Sequence, residues 1–135
     1  MKLSTRARYG IHAMYDLACN DGAQPRPLKA VAEAQGIPEA YLEQLLCALR
    51  RGGLVQSVRG AQGGYMLSRP PGKITVGDIL RTLEGGLSLV DCMDESECGR
   101  SCECPSRKVW LRLRDGMAQV VDGITLEDML RRDEE

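Results

Sequence analysis

Residues 28–68 read LKAVAEAQGIPEAYLEQLLCALRRGGLVQSVRGAQGGYMLS, and the predicted fold class follows from these residues. It opens with two short helix patterns that meet at Gly36. Two helices that cross steeply need a small residue where they approach most closely and a residue that tolerates positive φ at the corner. Ala32 and Gly36 meet these needs, and Leu42 and Leu45 pack between the helices. The spacing predicts a helix-turn-helix unit whose second helix can enter the major groove of DNA.

A β-hairpin is predicted directly after this unit. Residues 54–59 alternate as a strand, 60–64 form a glycine-rich turn, and 65–68 form the return strand. A hairpin in this place is typical of a wing, with Arg59 at its tip beside three glycines. The backbone at Gly60 can then approach DNA, and the guanidinium can enter a minor groove. The alternative is that the glycines only make a hairpin turn.

Helices are also predicted on both sides of this stretch. Ser4 is expected to cap a first helix that runs to about Asn20, and Thr75 with Asp78 has the pattern of a capping box. Ser106 is expected to cap a long helix to about residue 122, before a last short helix. An apolar seam on the long helix suits pairing with another helix and comprises Trp110, Leu113, Met117, Val120 and Ile124. We expect a DNA-binding domain over 1–84, a cysteine-rich loop over 85–105, and a dimerisation helix with a C-terminal helix over 106–135.

Composition limits the chain to one domain or one domain with an appendage, since it has 135 residues, 43% hydrophobic and 27% charged. No apolar run is long enough for a membrane span, so we expect a cytoplasmic protein without membrane contact. The net charge of −1 hides an asymmetry. Residues 1–75 carry 10 Lys and Arg against 5 Asp and Glu, whereas residues 76–135 carry 8 against 14. A basic first half favours a polyanion partner, although ordinary surface charge can also segregate.

Six cysteines are present, and four of them, Cys92, Cys98, Cys102 and Cys104, fall within 13 residues. Such a cluster in a reducing compartment is more typical of a metal or iron–sulfur site than of disulfides. Cys19 and Cys47 stand alone in helix patterns and are interpreted as small buried hydrophobes.

The chain resembles the Rrf-family winged-helix transcription regulators of bacteria, in the branch of the iron–sulfur regulators IscR and NsrR. The residues that carry the resemblance are Tyr9-Gly10, residues 41–45, 53–55 and 58–65, Cys92, Cys98, Cys104, Val109-Trp110 and residues 124–126. The resemblance implies a homodimer, paired through the long helix, that binds a pseudo-palindromic double-stranded DNA operator.

Several residues are expected to contact this DNA. Gln44 can bind an adenine edge, and Glu43 can accept a hydrogen bond from a cytosine amino group. In relatives the position of Glu43 is linked to discrimination between site classes. Arg59 and Gly60 are the wing contacts. Candidate phosphate contacts, each also explicable as a solvated helix face, are Lys29, Tyr41, Arg50 and Arg51.

The resemblance implies that Cys92, Cys98 and Cys104, with five residues between successive members, bind an iron–sulfur cluster. A 2Fe–2S cluster is favoured, and a 4Fe–4S cluster also fits. The IscR type adds a histidine three residues after the last cysteine, but Arg107 stands there and cannot bind iron. Cys102 is the favoured fourth ligand, with His12 as the alternative.

The cysteine cluster has three other possible interpretations. Four thiolates could hold a structural zinc ion, although paired C-x₂-C spacing is lacking. A metal-free regulator of the same family could bind a protein partner, as the cysteine-metabolism regulator does. A thiol redox enzyme is disfavoured because the sequence has no C-x-x-C motif and only one histidine. We therefore expect neither an enzyme nor a small-molecule substrate.

Overall fold

The computed structural model describes residues 3–85 and 105–131. Within them the elements are α1 (Thr5–Cys19), α2 (Leu28–Gln35), α3 (Glu39–Arg51), β1 (Val55–Val58), β2 (Gly64–Leu67), a 3₁₀ turn (Pro71–Lys73), α4 (Val76–Glu84), α5 (Arg107–Asp122) and α6 (Leu126–Arg131). The strands pair antiparallel, with Val55 opposite Leu67. The predicted fold class, mainly α with a small β-hairpin, is confirmed.

Side chains cap α1 and α4 as the sequence predicts, but the predicted cap bond at α5 is not formed. Ser4 caps α1 by accepting the amide of Ala7 at 3.0 Å, and Thr75 and Asp78 form the reciprocal capping box of α4. Ser106 makes no such cap bond because its own backbone is helical, with φ −93° and ψ −9°. Its hydroxyl instead accepts the indole N–H of Trp110 at 3.0 Å. Ser106 therefore occupies the N-cap position of α5, as predicted, but its side chain does not make the cap hydrogen bond.

The buried core surrounds α1. The inward side of α1 packs against α2, α3, α4, α6 and β2. Small residues make this possible, since Ala7 and Ala13 are fully buried and a Cβ at Gly10 would collide with the side chain of Leu83 on α4. Because the core closes on this helix, the positions of α2, α3 and the hairpin all depend on it.

The chain returns to this core after α5. The amide of Val76 donates to Ile124 at 2.8 Å, and the amide of Leu126 donates to Ile74 at 3.0 Å. Leu126 is fully buried in the same cluster as Met14. The division at residues 84 and 106 stays a prediction. α5 itself has no buried residue in the single chain. No helix in the two described ranges is long and apolar enough to cross a membrane.

A bidentate ion pair holds the end of α5 against α4. Arg81 donates to the two carboxylate oxygens of Asp122 at 2.6 and 2.8 Å. Gly77 leaves room for the pair, because a Cβ there would overlap the carboxylate. The hydrogen bond from Arg81 lowers the pKa of Asp122 below its ordinary value.

The pair should stabilise the fold at neutral pH and lose this effect in acid. A carboxyl whose pKa is lowered by folding contributes stability above its unfolded pKa, about 3.9, and loses it as pH falls through the folded value. We expect Asp122→Asn to lower the melting temperature at neutral pH, with the gap to wild type narrowing as pH falls below the unfolded pKa of about 3.9. Asp115→Asn is the control, since Asp115 pairs only with its chain neighbour Arg114 among the described ion pairs. A gap that stays constant with pH would contradict the assignment.

Candidate nucleic-acid interface

Helix α3 exposes one polar face and buries the other. Leu42, Leu45, Leu46 and Leu49 point into the core, whereas Glu43 and Gln44 are exposed. The corner before it is made by Gly36 in the left-handed conformation, with φ +66°. Because buried leucines hold the helix from behind, its polar side is rigid and free to meet a groove.

The hairpin tip lies after β1 and is open to solvent. Arg59 and Gly60 are both exposed, and Gly60 has φ +115°, a conformation that favours glycine. The amide of Gly63 donates to the carbonyl of Gly60 at 3.0 Å and closes the turn. A Cβ at Gly63 would collide with the carbonyl oxygen of Val58, so the turn needs glycine there. The glycines thus make the turn, and they also leave the arginine on an open tip.

The remaining predicted contacts differ in how free they are. Lys29 is exposed on α2. Tyr41 is half-buried, and its ring meets that of Tyr9 edge-on with centroids 5.9 Å apart. Arg50 donates to the hydroxyl of Ser57 at 3.3 Å and so joins α3 to β1. Tyr41 and Arg50 therefore also have roles within the fold.

The interpretation of Cys19 and Cys47 as buried hydrophobes was wrong. Cys19 is exposed at the end of α1, and Cys47 is half-buried on the face of α3 that carries Glu43 and Gln44. The guanidinium of Arg51 lies 3.4 Å from the sulfur of Cys47, and its hydrogen bond lowers the pKa of that thiol. The i, i+4 spacing of Cys47 and Arg51 could have indicated this contact.

A buried hydrogen-bond network centred on Asp16, beside the hairpin, was not predicted from the sequence. Asp16 is 4% exposed, and its carboxylate accepts from Arg26 at 2.9 and 3.4 Å and from Gln35 at 3.1 Å. The main chain of Arg26 pairs with that of Tyr65 on β2 through two 2.8 Å hydrogen bonds. One sequence signal was present, namely a carboxylate within the apolar side of a helix.

Of the predicted metal ligands, His12 alone falls within the described residues. Cys92, Cys98, Cys102 and Cys104 lie outside the described residues. His12 is described, exposed on α1 with its ring 6.5 Å from that of Tyr9. Among residues 3–85 and 105–131, no three His, Cys, Asp or Glu side chains are grouped as a metal site requires.

Comparison with known proteins identifies the chain's relatives. The family model Rrf2, described as an iron-dependent transcriptional regulator, matches residues 3–132. The transcriptional regulator CymR of Bacillus subtilis (strain 168) is 45% identical over 129 residues, covering 96% of this chain and 89% of CymR. The transcriptional regulator IscR of Citrobacter koseri is 37% identical over 134 residues, covering 99% of this chain and 82% of that protein.

A comparison with solved structures identifies the same two kinds of relative, IscR and CymR. T. potens IscR superposes with a TM-score of 0.81 at 47% identity, covering 100% of this chain and 89% of that one. The structure of B. subtilis CymR, titled a global cysteine regulator, gives a TM-score of 0.79 at 43% identity, with 96% and 95% covered. The predicted winged helix-turn-helix fold is confirmed. The prediction that the chain is not an enzyme is also confirmed, because its relatives are named as transcriptional regulators.

If the exposed tip inserts into DNA, removing its guanidinium should weaken binding. We expect Arg59→Ala to raise the Kd for a duplex roughly tenfold, since a well-placed arginine contact is worth about 1–3 kcal/mol. The duplex is selected from a random pool with the wild-type protein, and Kd is measured at one fixed salt concentration.

Arg131→Ala is the matched control, because it removes the same charge from a side chain that pairs with Glu127 on α6. Equal losses in the two variants would mean that Arg59 acts only through net charge.

Proposed function

This chain belongs to the Rrf2 family of transcriptional regulators, and we propose that it binds a pseudo-palindromic DNA operator as a homodimer under the control of an iron–sulfur cluster. The observation that carries the DNA part is the joint exposure of Glu43 and Gln44 on α3 and of Arg59 on the hairpin. An exposed helix such as α3 can enter the major groove and contact base edges, while Arg59 on the hairpin can enter the adjacent minor groove. With this function, the protein would act in the cytoplasm.

The homodimer is supported by the apolar side of α5. Val109, Leu113 and Val120 are 53%, 41% and 62% exposed. They fall at helical spacing with Gly116 among them, so they share one side of the helix. A helix with an uncovered apolar side of this length is typical of an interface, and Gly116 would let a second helix approach closely.

A charge on that side should break the dimer. We expect Val120→Glu to shift the protein toward monomer, because pairing would bury the new carboxylate without a partner. Sedimentation velocity at several protein concentrations measures the shift. Gln119→Glu is the matched control, since it adds the same charge one residue away and off the apolar side. A dimer equally stable in wild type and Val120→Glu would contradict pairing through this side.

The cluster is supported by the cysteine pattern and by the iron-dependent description of the family model. The donor set fits, because thiolates are the ligands that iron–sulfur clusters use. Cys92, Cys98 and Cys104 would hold the group, with Cys102 or His12 completing the set. A bound cluster would supply a centre that responds to iron, oxidants or nitric oxide. Coupling of about 1–3 kcal/mol between loading and DNA binding would suffice for regulation.

An absorption spectrum of protein purified without oxygen tests the cluster, with iron, acid-labile sulfide and zinc assayed on the same sample. We expect visible bands with iron and sulfide in comparable amounts. Replacing Cys92, Cys98 and Cys104 together by Ala should abolish the bands and change DNA affinity, whereas Cys19→Ala with Cys47→Ala should keep the bands.

The other outcomes identify other regulators. One zinc ion per chain would make the loop a structural zinc site. A colourless protein without zinc, still clear after attempted cluster reconstitution, would favour control by a protein partner. That second candidate is favoured by the 45% identity to CymR, whose solved structure is titled a global cysteine regulator.

A further inference from the structure

One charged side chain lies inside the core of the described residues, and it joins three segments. Asp16 projects from α1 and accepts hydrogen bonds from Arg26, in the segment between α1 and α2, and from Gln35, the last residue of α2. Leaving a buried carboxylate without its partners is strongly unfavourable. The guanidinium of Arg26 therefore has one preferred place, and the main chain that carries it is held there.

That main chain is the neighbour of the hairpin. The amide of Arg26 donates to the carbonyl of Tyr65, and the carbonyl of Arg26 accepts the amide of Tyr65, each at 2.8 Å. The contact is close, because a Cβ on the adjacent Gly64 would overlap the backbone of Arg26. Arg26 thus acts as a one-residue third strand beside the turn end of β2, because Tyr65 is only one residue from the last pair of the ladder, Val58 and Gly64, and its side chain is anchored to α1.

We propose that Asp16 is a positioning residue for DNA binding. Through Arg26 and Tyr65 it fixes the direction of the hairpin relative to α2 and α3, so that Arg59 and Gln44 meet the duplex together. Fixing two contacts in one geometry before binding lowers the ordering that binding requires. The inference rests on the proposed DNA binding and adds to it a residue that does not touch DNA.

A double-mutant cycle separates positioning from general stability. If Asp16 acts through the hairpin, Asp16→Asn should raise the Kd for the selected duplex roughly tenfold in the wild-type background. In the Arg59→Ala background the same change should raise Kd less than about twofold, because the hairpin contact is already lost. Kd is measured on the full chain at fixed salt, with circular dichroism to select a temperature at which each variant is folded.

Two further variants make the cycle decisive. Gly64→Ala disturbs the other end of the link and should show the same dependence on Arg59, which covers the case in which Asp16→Asn fails to fold. Glu127→Gln is the control, since it also removes a carboxylate that pairs with an arginine, but within α6, which has no part in the proposed DNA contact or dimer. It should leave the Kd of the folded protein unchanged.

Each result has a separate meaning. Equal fold-losses in the wild-type and Arg59→Ala backgrounds would overturn the positioning role while leaving DNA binding intact. Failure of the wild-type protein to select or bind any duplex of about 30 base pairs, long enough for two half-sites, would overturn the proposed function and this inference with it.

Discussion

The close packing around α1 determines where the neighbouring helices and the hairpin lie. Four helices and one strand lie against this helix. They can do so because Ala7, Gly10 and Ala13 occupy little volume. Packing at this density leaves few alternative arrangements, so a displacement of α1 would be transmitted to α3 and to the hairpin. The same helix carries Arg6, whose guanidinium bonds the carbonyl of Leu83 at 3.1 Å near the end of α4, where the described chain approaches the cysteine loop.

Different interactions hold the two parts of the proposed DNA interface, α3 and the hairpin. Helix α3 is held by dispersion and apolar burial, through leucines that fit the space behind it. The hairpin is anchored at its base by Val55 and Leu67, which are buried in the core, whereas its turn end is joined to the rest of the fold by the polar contacts of Arg26. Polar contacts have preferred directions whereas apolar contacts do not, so a buried carboxylate is suited to orienting a projecting element.

Much of the fold could be predicted from the sequence, because it rests on local signals. The meeting of two short helices at Gly36 was predicted correctly, since α2 ends at Gln35 and α3 begins at Glu39, and each end of each strand differed from its prediction by about one residue. The Ser106 cap bond does not form because a cap depends on backbone angles that composition does not determine. The contact between Asp16 and Arg26 forms only in the folded chain. Arg26 in turn contacts Tyr65, which lies nearly forty residues further along the sequence. The predicted cysteine ligands lie outside the described residues, so their arrangement stays a prediction.

The one-residue strand at Arg26 also bears on aggregation. Exposed sheet edges can pair with other chains, and a glycine-rich hairpin offers such an edge. Arg26 covers β2 with its own main-chain groups and is flanked by Pro25 and Pro27. Along a strand, alternate residues direct their main-chain groups to opposite sides, so the outward amides would belong to those two prolines, which have none. The outer side of the segment therefore offers no main-chain donor to a neighbouring molecule, and this edge of the hairpin resists strand addition at high protein concentration.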